Sequence, residues 1–209
     1  MTNQIYDTLR QEVLECTLPP GAQLREKELA SRFEVSKSPV REALQHLVRE
    51  GLIVVLPRVG YRVSSVSASD ARELFVFRRH MELACLEESA RHADREGLAR
   101  LDGFRSFDGS GEAFIAYNRA FHRALAECCG NARMARATAD LIDEMDRPVR
   151  LSISAIEGRD PARLVAEHGA IIDAVQALDG RRAASLMRAH LTAAEKRFVT
   201  ALEWASVRE

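Results

Sequence analysis

The chain lacks a large net charge, a cysteine framework and a long apolar run, and each absence excludes a class of function. Lysines and arginines number 30 against 31 aspartates and glutamates, a formal balance of -1. A protein that coats nucleic acid without selectivity needs a broadly basic surface, so that class is excluded. The basic residues gather instead between Arg32 and Arg62. No apolar stretch is long enough to cross a bilayer. Met1-Thr2-Asn3-Gln4-Ile5-Tyr6 is polar and passes into an amphipathic segment, so no signal peptide is expected and the predicted location is cytoplasmic. The four cysteines, Cys16, Cys85, Cys128 and Cys129, form no CxxC pair. They read as reduced thiols acting as small hydrophobes, with adjacent Cys128-Cys129 open to a redox role. A length of 209 residues suits one or two domains with a real core.

What is present is a helix, a tight turn, a second helix and a hairpin between Leu24 and Val63. Leu29, Ala30 and Phe33 give the first helix an apolar face. Glu34-Val35 breaks the run, with Val35 expected as a buried plug. Ser36 or Ser38 is placed to cap the next helix, and Pro39 falls in its first turn, where a missing N–H costs little. Val40, Ala43, Leu44, Leu47 and Val48 supply its buried stripe, leaving Ser36, Lys37, Ser38, Arg41 and Gln45 outside. Leu52-Ile53-Val54-Val55 and Tyr61-Arg62-Val63 then flank a turn-rich tip carrying Arg58. This order describes a winged helix-turn-helix, whose second helix enters the DNA major groove. Arg41 is suited to guanine edges or phosphate, Lys37 and the serines to phosphate or short base contacts, and Arg58 to the minor groove. The alternative is an ordinary helix start with solvated cations.

Pro19-Pro20-Gly21, Leu24-Arg25-Glu26, Leu29-Ala30, the run from Val35 to Leu44 and Glu50-Gly51-Leu52 resemble the GntR family of bacterial transcription factors. The resemblance covers about the first third of the chain. It implies that Lys27, Ser36, Lys37, Arg41, Arg58 and Gly60 occupy the family's DNA-contacting positions, with Arg25 and Ser38 beside them.

A linker at Ser64-Ser65-Val66-Ser67-Ala68-Ser69 divides the chain into residues 1–66 and 67–209. The second part reads as an all-α bundle. Ser67 or Ser69 caps a long helix on which Leu74, Phe77, Met81, Ala84, Cys85 and Glu88 follow a helical period. Breaks at Asp108–Gly111, Gly130-Asn131, Glu157–Pro161 and Asp179-Gly180 predict about six helices. Asn118 and His122, four apart, project from one helix face. His168 and His190 each lie eleven residues from Asp179. If Asp179-Gly180 joins an antiparallel pair, both histidines stand roughly 16 Å from the turn. Three imidazoles then converge from three helices, as a transition-metal site requires. His46, His80 and His92 fit no such level.

Phe121-His122, Glu167-His168 and His190-Leu191 are similar to the FadR-like branch of the same family, which carries an all-helical effector-binding domain called FCD. That likeness implies zinc or nickel held by His122, His168, His190 and the residue at 118. It also implies that Arg78 holds an effector carboxylate, the alternative being a surface ion pair with Glu82. The family commonly has Asp where this chain has Asn118, which leaves the metal one more unit of positive charge. The expected protein is a homodimeric regulator on a palindromic operator, released by a small carboxylate. The alternatives are a metal-free pocket in which the histidines bind the acid directly, or a metal-dependent enzyme fused to a DNA-binding head.

Overall fold

A computed structural model describes residues 2–92, 95–109, 112–153 and 161–206, leaving aside the side chains of 112, 151–153 and 201–206. The chain forms two compact units, Met1–Val66 and Ser67–Glu209.

In the first unit, α1 (Thr2–Leu14) turns Ile5, Leu9, Val13 and Leu14 inward, and α3 (Lys37–Arg49) turns Val40, Ala43, Leu44 and Leu47 toward them. The short α2 (Glu26–Arg32) packs on α3 and contributes Leu29 and Ala30. The turn after α2 is closed by two backbone bonds, Glu34 N–H to Ser31 and Val35 N–H to Ala30. Glu34 sits there at φ 55, a left-handed position that normally favours glycine. Val35 packs against the core as the plug that its place in the sequence suggests. Ser36 is the N-cap of α3 with extended backbone, yet its hydroxyl makes no capping bond.

The hairpin is β2 (Ile53–Leu56) with β3 (Gly60–Val63), and Gln23–Leu24 adds a short antiparallel strand, β1, giving the order β1-β3-β2. That added strand has no counterpart in the sequence reading. It explains Gly60: a Cβ there would lie 2.6 Å from the Leu24 carbonyl oxygen, at a φ of +135. The wing tip is a turn closed by Val59 N–H to Leu56. Arg58 occupies its third position at φ 65, where glycine is the unstrained choice.

The second unit contains α4 (Ala68–His92), α5 (Arg95–Arg100), a 3₁₀ turn (Leu101–Phe104), α6 (Glu112–Glu127), α7 (Ala132–Glu144), α8 (Asp146–Ile153), α9 (Pro161–Gln176) and α10 (Gly180–Ser206). Ser67 caps α4 reciprocally with Asp70, each backbone N–H bonding the other's side chain. Asn131 caps α7 and Asp179 caps α10. The described residues of the second unit therefore hold seven α-helices rather than about six. The α7–α8 break carries no glycine, and no break was read between α4 and α5. Of the expected break at Glu157–Pro161, residues 157–160 lie outside the described residues, as do Ser110 and Gly111.

The inward face of α4 also differs from the expected one. Ala71, Phe75, Arg78, Glu82, Cys85, Leu86 and Ser89 are buried, while Phe77 is 55% exposed. Two charged residues occupy interior positions, and an apolar period read from hydrophobic residues alone falls on the neighbouring rows.

Candidate functional site

The first unit presents its candidate DNA-facing residues to solvent. Arg25, Lys27, Ser36, Lys37, Ser38, Arg41 and Arg58 are all exposed, and Gly60 is half-buried. Lys37 and Ser38 open α3, so their backbone N–H groups and the positive end of the helix face outward with them. Arg41 is not free: its Nε and Nη2 bond the Glu26 carboxylate at 2.8 and 2.7 Å. Tyr61 donates to the same carboxylate at 3.4 Å. The Arg41 hydrogen bond holds the Glu26 carboxyl below the usual range. Glu26 had no assigned role in the sequence, although it opens α2 and its carboxylate fixes where the arginine stands. Arg25 pairs with Glu28 at 3.3 Å.

In the second unit, His122 of α6, His168 of α9 and His190 of α10 are all buried, and one ligand atom from each lies within 4.8 Å of the others. Each ring is fixed through Nδ1. That of His122 bonds Glu82 at 2.6 Å, that of His190 bonds Glu167 at 2.9 Å, and that of His168 meets the Tyr117 hydroxyl at 3.2 Å. Phe121 stacks on His168 with ring centroids 3.8 Å apart. Burial alone would raise the Glu82 carboxyl, but Arg78 and His122 outweigh it and hold it at about 2. An ionised carboxylate only accepts, so Nδ1 of His122 carries the hydrogen and Nε2 keeps its lone pair. Burial, reinforced by the Arg78 charge, pushes His122 down to about 4. Burial drives His168 lower still. Both rings are neutral at neutral pH.

Nε2 of His122 and of His168 are buried without a hydrogen-bond partner. A buried acceptor left unpaired is costly, and neutral imidazoles oriented by outer carboxylates are the usual donor set for a divalent transition metal. The residues therefore fit the expected metal. Asn118 lines the same cavity as His122 and His190, with Arg78 and Arg197. Arg78 does pair with Glu82 through Nε, but the pair is buried rather than on the surface. Its Nη2 remains buried and unpartnered. The neighbouring Arg79 bonds Glu195 at 2.8 Å and is half-buried.

Tyr117 and Glu167 had no assigned role in the sequence, and Glu82 only that of a surface partner for Arg78. Glu82 stands one turn after Arg78 and Tyr117 directly precedes Asn118, but their aim depends on how the helices pack. Among the described residues no helix is long and apolar enough to cross a membrane.

Comparison with known proteins places both units. Residues 1–63 match the family described as bacterial regulatory proteins, gntR family, and residues 73–193 match the FCD domain. An HTH-type transcriptional regulator in an unstable DNA locus of Streptomyces ambofaciens is 37% identical over 196 residues, covering 90% of this chain and 81% of that protein. The HTH-type transcriptional repressor RspR of Escherichia coli is 28% identical over 207 residues, covering 91% and 86%. In solved structures, the E. coli protein McbR/YncC superposes with a TM-score of 0.77 at 20% identity, covering 95% of this chain and 97% of its own, a likeness of fold.

Proposed function

Because this chain belongs to the GntR family of bacterial transcriptional regulators and carries an FCD domain, we propose that it is a repressor whose hold on a palindromic operator is set by a small carboxylate. The family regulates transcription by binding DNA and is not one of enzymes. The observation that carries the finer reading is one cavity holding the partnerless Nη2 of Arg78 beside the inward face of His122 and His190.

In this reading Lys37, Ser38 and Arg41 meet the major groove, Lys27 and Ser36 the backbone beside it, and Arg58 the minor groove. A homodimer matches the symmetry of the operator. Val76 and Phe77 on the outward side of α4, 40% and 55% exposed, offer apolar area for a second copy to cover.

His122, His168 and His190, with the amide oxygen of Asn118, would hold zinc or nickel. The metal, when bound, supplies a Lewis-acidic position for a carboxylate oxygen. Arg78 adds a charge-assisted hydrogen bond to the same acid. Glu82 and Glu167 keep the rings turned, and Phe121 closes the wall behind His168. The acid changes operator affinity only in so far as it binds the DNA-competent and DNA-free states unequally.

The test is anisotropy of a labelled operator, recovered by sequencing genomic fragments retained on the protein, titrated with the metal-loaded full chain. Panels of small carboxylates should include one that lowers affinity, and Arg78→Gln should abolish that response while leaving DNA binding intact. Response unchanged by both chelation and His168→Ala would remove the metal from the scheme.

A further inference from the structure

We propose that Glu26 is a specificity-determining residue of the DNA-reading surface: its carboxylate grips Arg41 along one edge, turns the other edge to a guanine, and disfavours DNA that lacks that base. The inference rests on the reading of Lys37, Ser38 and Arg41 as major-groove side chains and says what selects among sequences there.

Glu26 opens α2, Arg41 lies in the second turn of α3, and Tyr61 stands in the wing strand β3. The pairing of Leu24 with Tyr61 across β1 and β3 brings the tyrosine beside the start of α2. One carboxylate therefore joins all three DNA-facing elements. Its Oε1 accepts from Arg41 Nε at 2.8 Å and from the Tyr61 hydroxyl at 3.4 Å, and its Oε2 accepts from Arg41 Nη2 at 2.7 Å. The Arg41 hydrogen bond outweighs burial and keeps the carboxyl below its usual range, so it is charged at neutral pH.

Nε and Nη2 form the lateral edge of a guanidinium. With that edge taken, the end-on edge remains, Nη1 beside the second hydrogen of Nη2, on a side chain that is 56% exposed. Such a pair of parallel N–H groups fits guanine O6 and N7 and no other base edge in the major groove. An arginine without a partner would spend the same donors on the nearest phosphate, which carries no sequence information. Glu26 opposes that in two ways. It fixes the plane of the guanidinium before DNA arrives, so less rotamer freedom is lost on reading a base. It also sets a negative charge beside the reading helix, a cost on every duplex that a guanine in register offsets. An ion pair this exposed adds little to stability, so its effect falls on the choice of DNA.

The experiment is anisotropy on the full-length protein at one fixed salt concentration. The labelled duplexes are the operator recovered from retained genomic fragments, a scramble of it, and a set in which each G·C pair of a half-site is changed in turn to A·T. Comparison of the parent with Arg41→Ala identifies the G·C pair that the arginine reads. Glu26→Gln keeps the shape and removes the charge. It should bind the scramble more tightly, with a salt slope steeper by about one counterion. It should also lose about tenfold of the operator-to-scramble ratio, with the loss falling at that same G·C pair. Glu26→Asp keeps the charge but is a methylene too short to meet both nitrogens. It should lose discrimination at that pair while its affinity for the scramble stays within about twofold of the parent's. In the Arg41→Ala background, Glu26→Gln should change discrimination there by less than about twofold. A ratio unchanged by either Glu26 variant, or a loss that persists at full size without Arg41, would overturn the proposal while Arg41 remains the reading residue. If Arg41→Ala itself leaves the ratio unchanged, the reading of α3 fails and takes this inference with it.

Discussion

Among the described residues, the N-terminal unit buries only apolar and aromatic side chains, whereas the helical unit also buries Arg78, Glu82, Asp146, Arg147, His122, His168 and His190. The first unit keeps Arg41, Glu26, Lys37 and Arg58 at its surface, where an ion pair is cheap to form and cheap to break. DNA lies outside, so nothing polar has to be taken in. The second unit places charge where desolvation costs several kcal/mol per ion unless partners replace the lost water. It supplies most of those partners, at Glu82, Glu167 and Tyr117, and leaves Nε2 of two histidines and one nitrogen each of Arg78 and Arg197 unfilled. Under the proposed function, those unfilled atoms are where metal and acid would bind. The contrast separates a unit whose stability and function are nearly independent from one in which they are the same interactions.

Removing metal should break this contrast most visibly. A metal at about a thousand times its dissociation constant stabilises the native state by about 4 kcal/mol. Chelation, or His168→Ala, should cost the helical unit an amount of that order and leave the N-terminal unit's hydrogen exchange unchanged. Equal loss of protection in α1–α3 and in α6, α9 and α10 would contradict the separation.

Acid is the next lever. His122 titrates at about 4 in the folded chain, below its ordinary value of 6.5. A base whose folded value is depressed contributes stability that is complete above pH 6.5 and disappears as pH falls toward 4. The shift corresponds to about 3 kcal/mol. Asp146 runs the other way, because burial raises its carboxyl to about 6; what it contributes is present below pH 4 and lost as pH rises through 6. The measurement is therefore a difference. The apo His122→Gln variant should show a shallower loss of stability between pH 6.5 and 4 than the apo parent, and parallel curves would refute the assignment.

How much of this was legible follows the same division. The helix-turn-helix could be read because its signals are local: a break in the apolar run at Glu34-Val35, a capping position at Ser36 or Ser38, an apolar stripe through Val40 and Leu44. Helical rise made it possible to read His168 and His190 as level, and the resemblance to the FCD domain joined His122 to them. The first strand could not, since two residues at Gln23–Leu24 carry no period and pair only because Gly60 lets β3 approach. The face of α4 was displaced because hydrophobicity is the wrong guide where Arg78 and Glu82 are the buried residues. Tyr117, Glu167, Arg197 and the second role of Glu82, at His122, stayed hidden for a related reason. A carboxylate or guanidinium looks the same in sequence whether it faces water or a ring nitrogen on another helix.

A smaller effect sharpens the comparison within the first unit. Arg41→Ala should lower operator affinity by about 1–3 kcal/mol at fixed salt. Its effect on stability should stay within about 0.5 kcal/mol, since the Arg41–Glu26 pair is exposed. Arg78→Gln should behave differently, lowering both ligand response and stability, because it strands the buried Glu82 carboxylate. Paired measurements of operator binding and denaturant midpoint distinguish the two. An Arg41→Ala variant that binds the operator as before would show that α3 is not the reading helix.

The smallest predicted effect concerns two strained residues in that same unit. Glu34 and Arg58 both hold left-handed backbone, at φ 55 and φ 65. Such a conformation costs a side-chain-bearing residue about 1–2 kcal/mol, part of which glycine returns as unfolded-state entropy. Glu34→Gly and Arg58→Gly should each stabilise the N-terminal unit by about 0.5 kcal/mol. They should part at the operator. Glu34 closes a turn and carries the wrong sign for phosphate, so its replacement should leave affinity unchanged or raise it. Arg58 keeps its strain at the tip of the wing, where by the proposed reading a cation would meet the minor groove, and its replacement should weaken binding and flatten the salt dependence by about one counterion. If Arg58→Gly gained stability with no loss of affinity, the wing would have no part in DNA recognition.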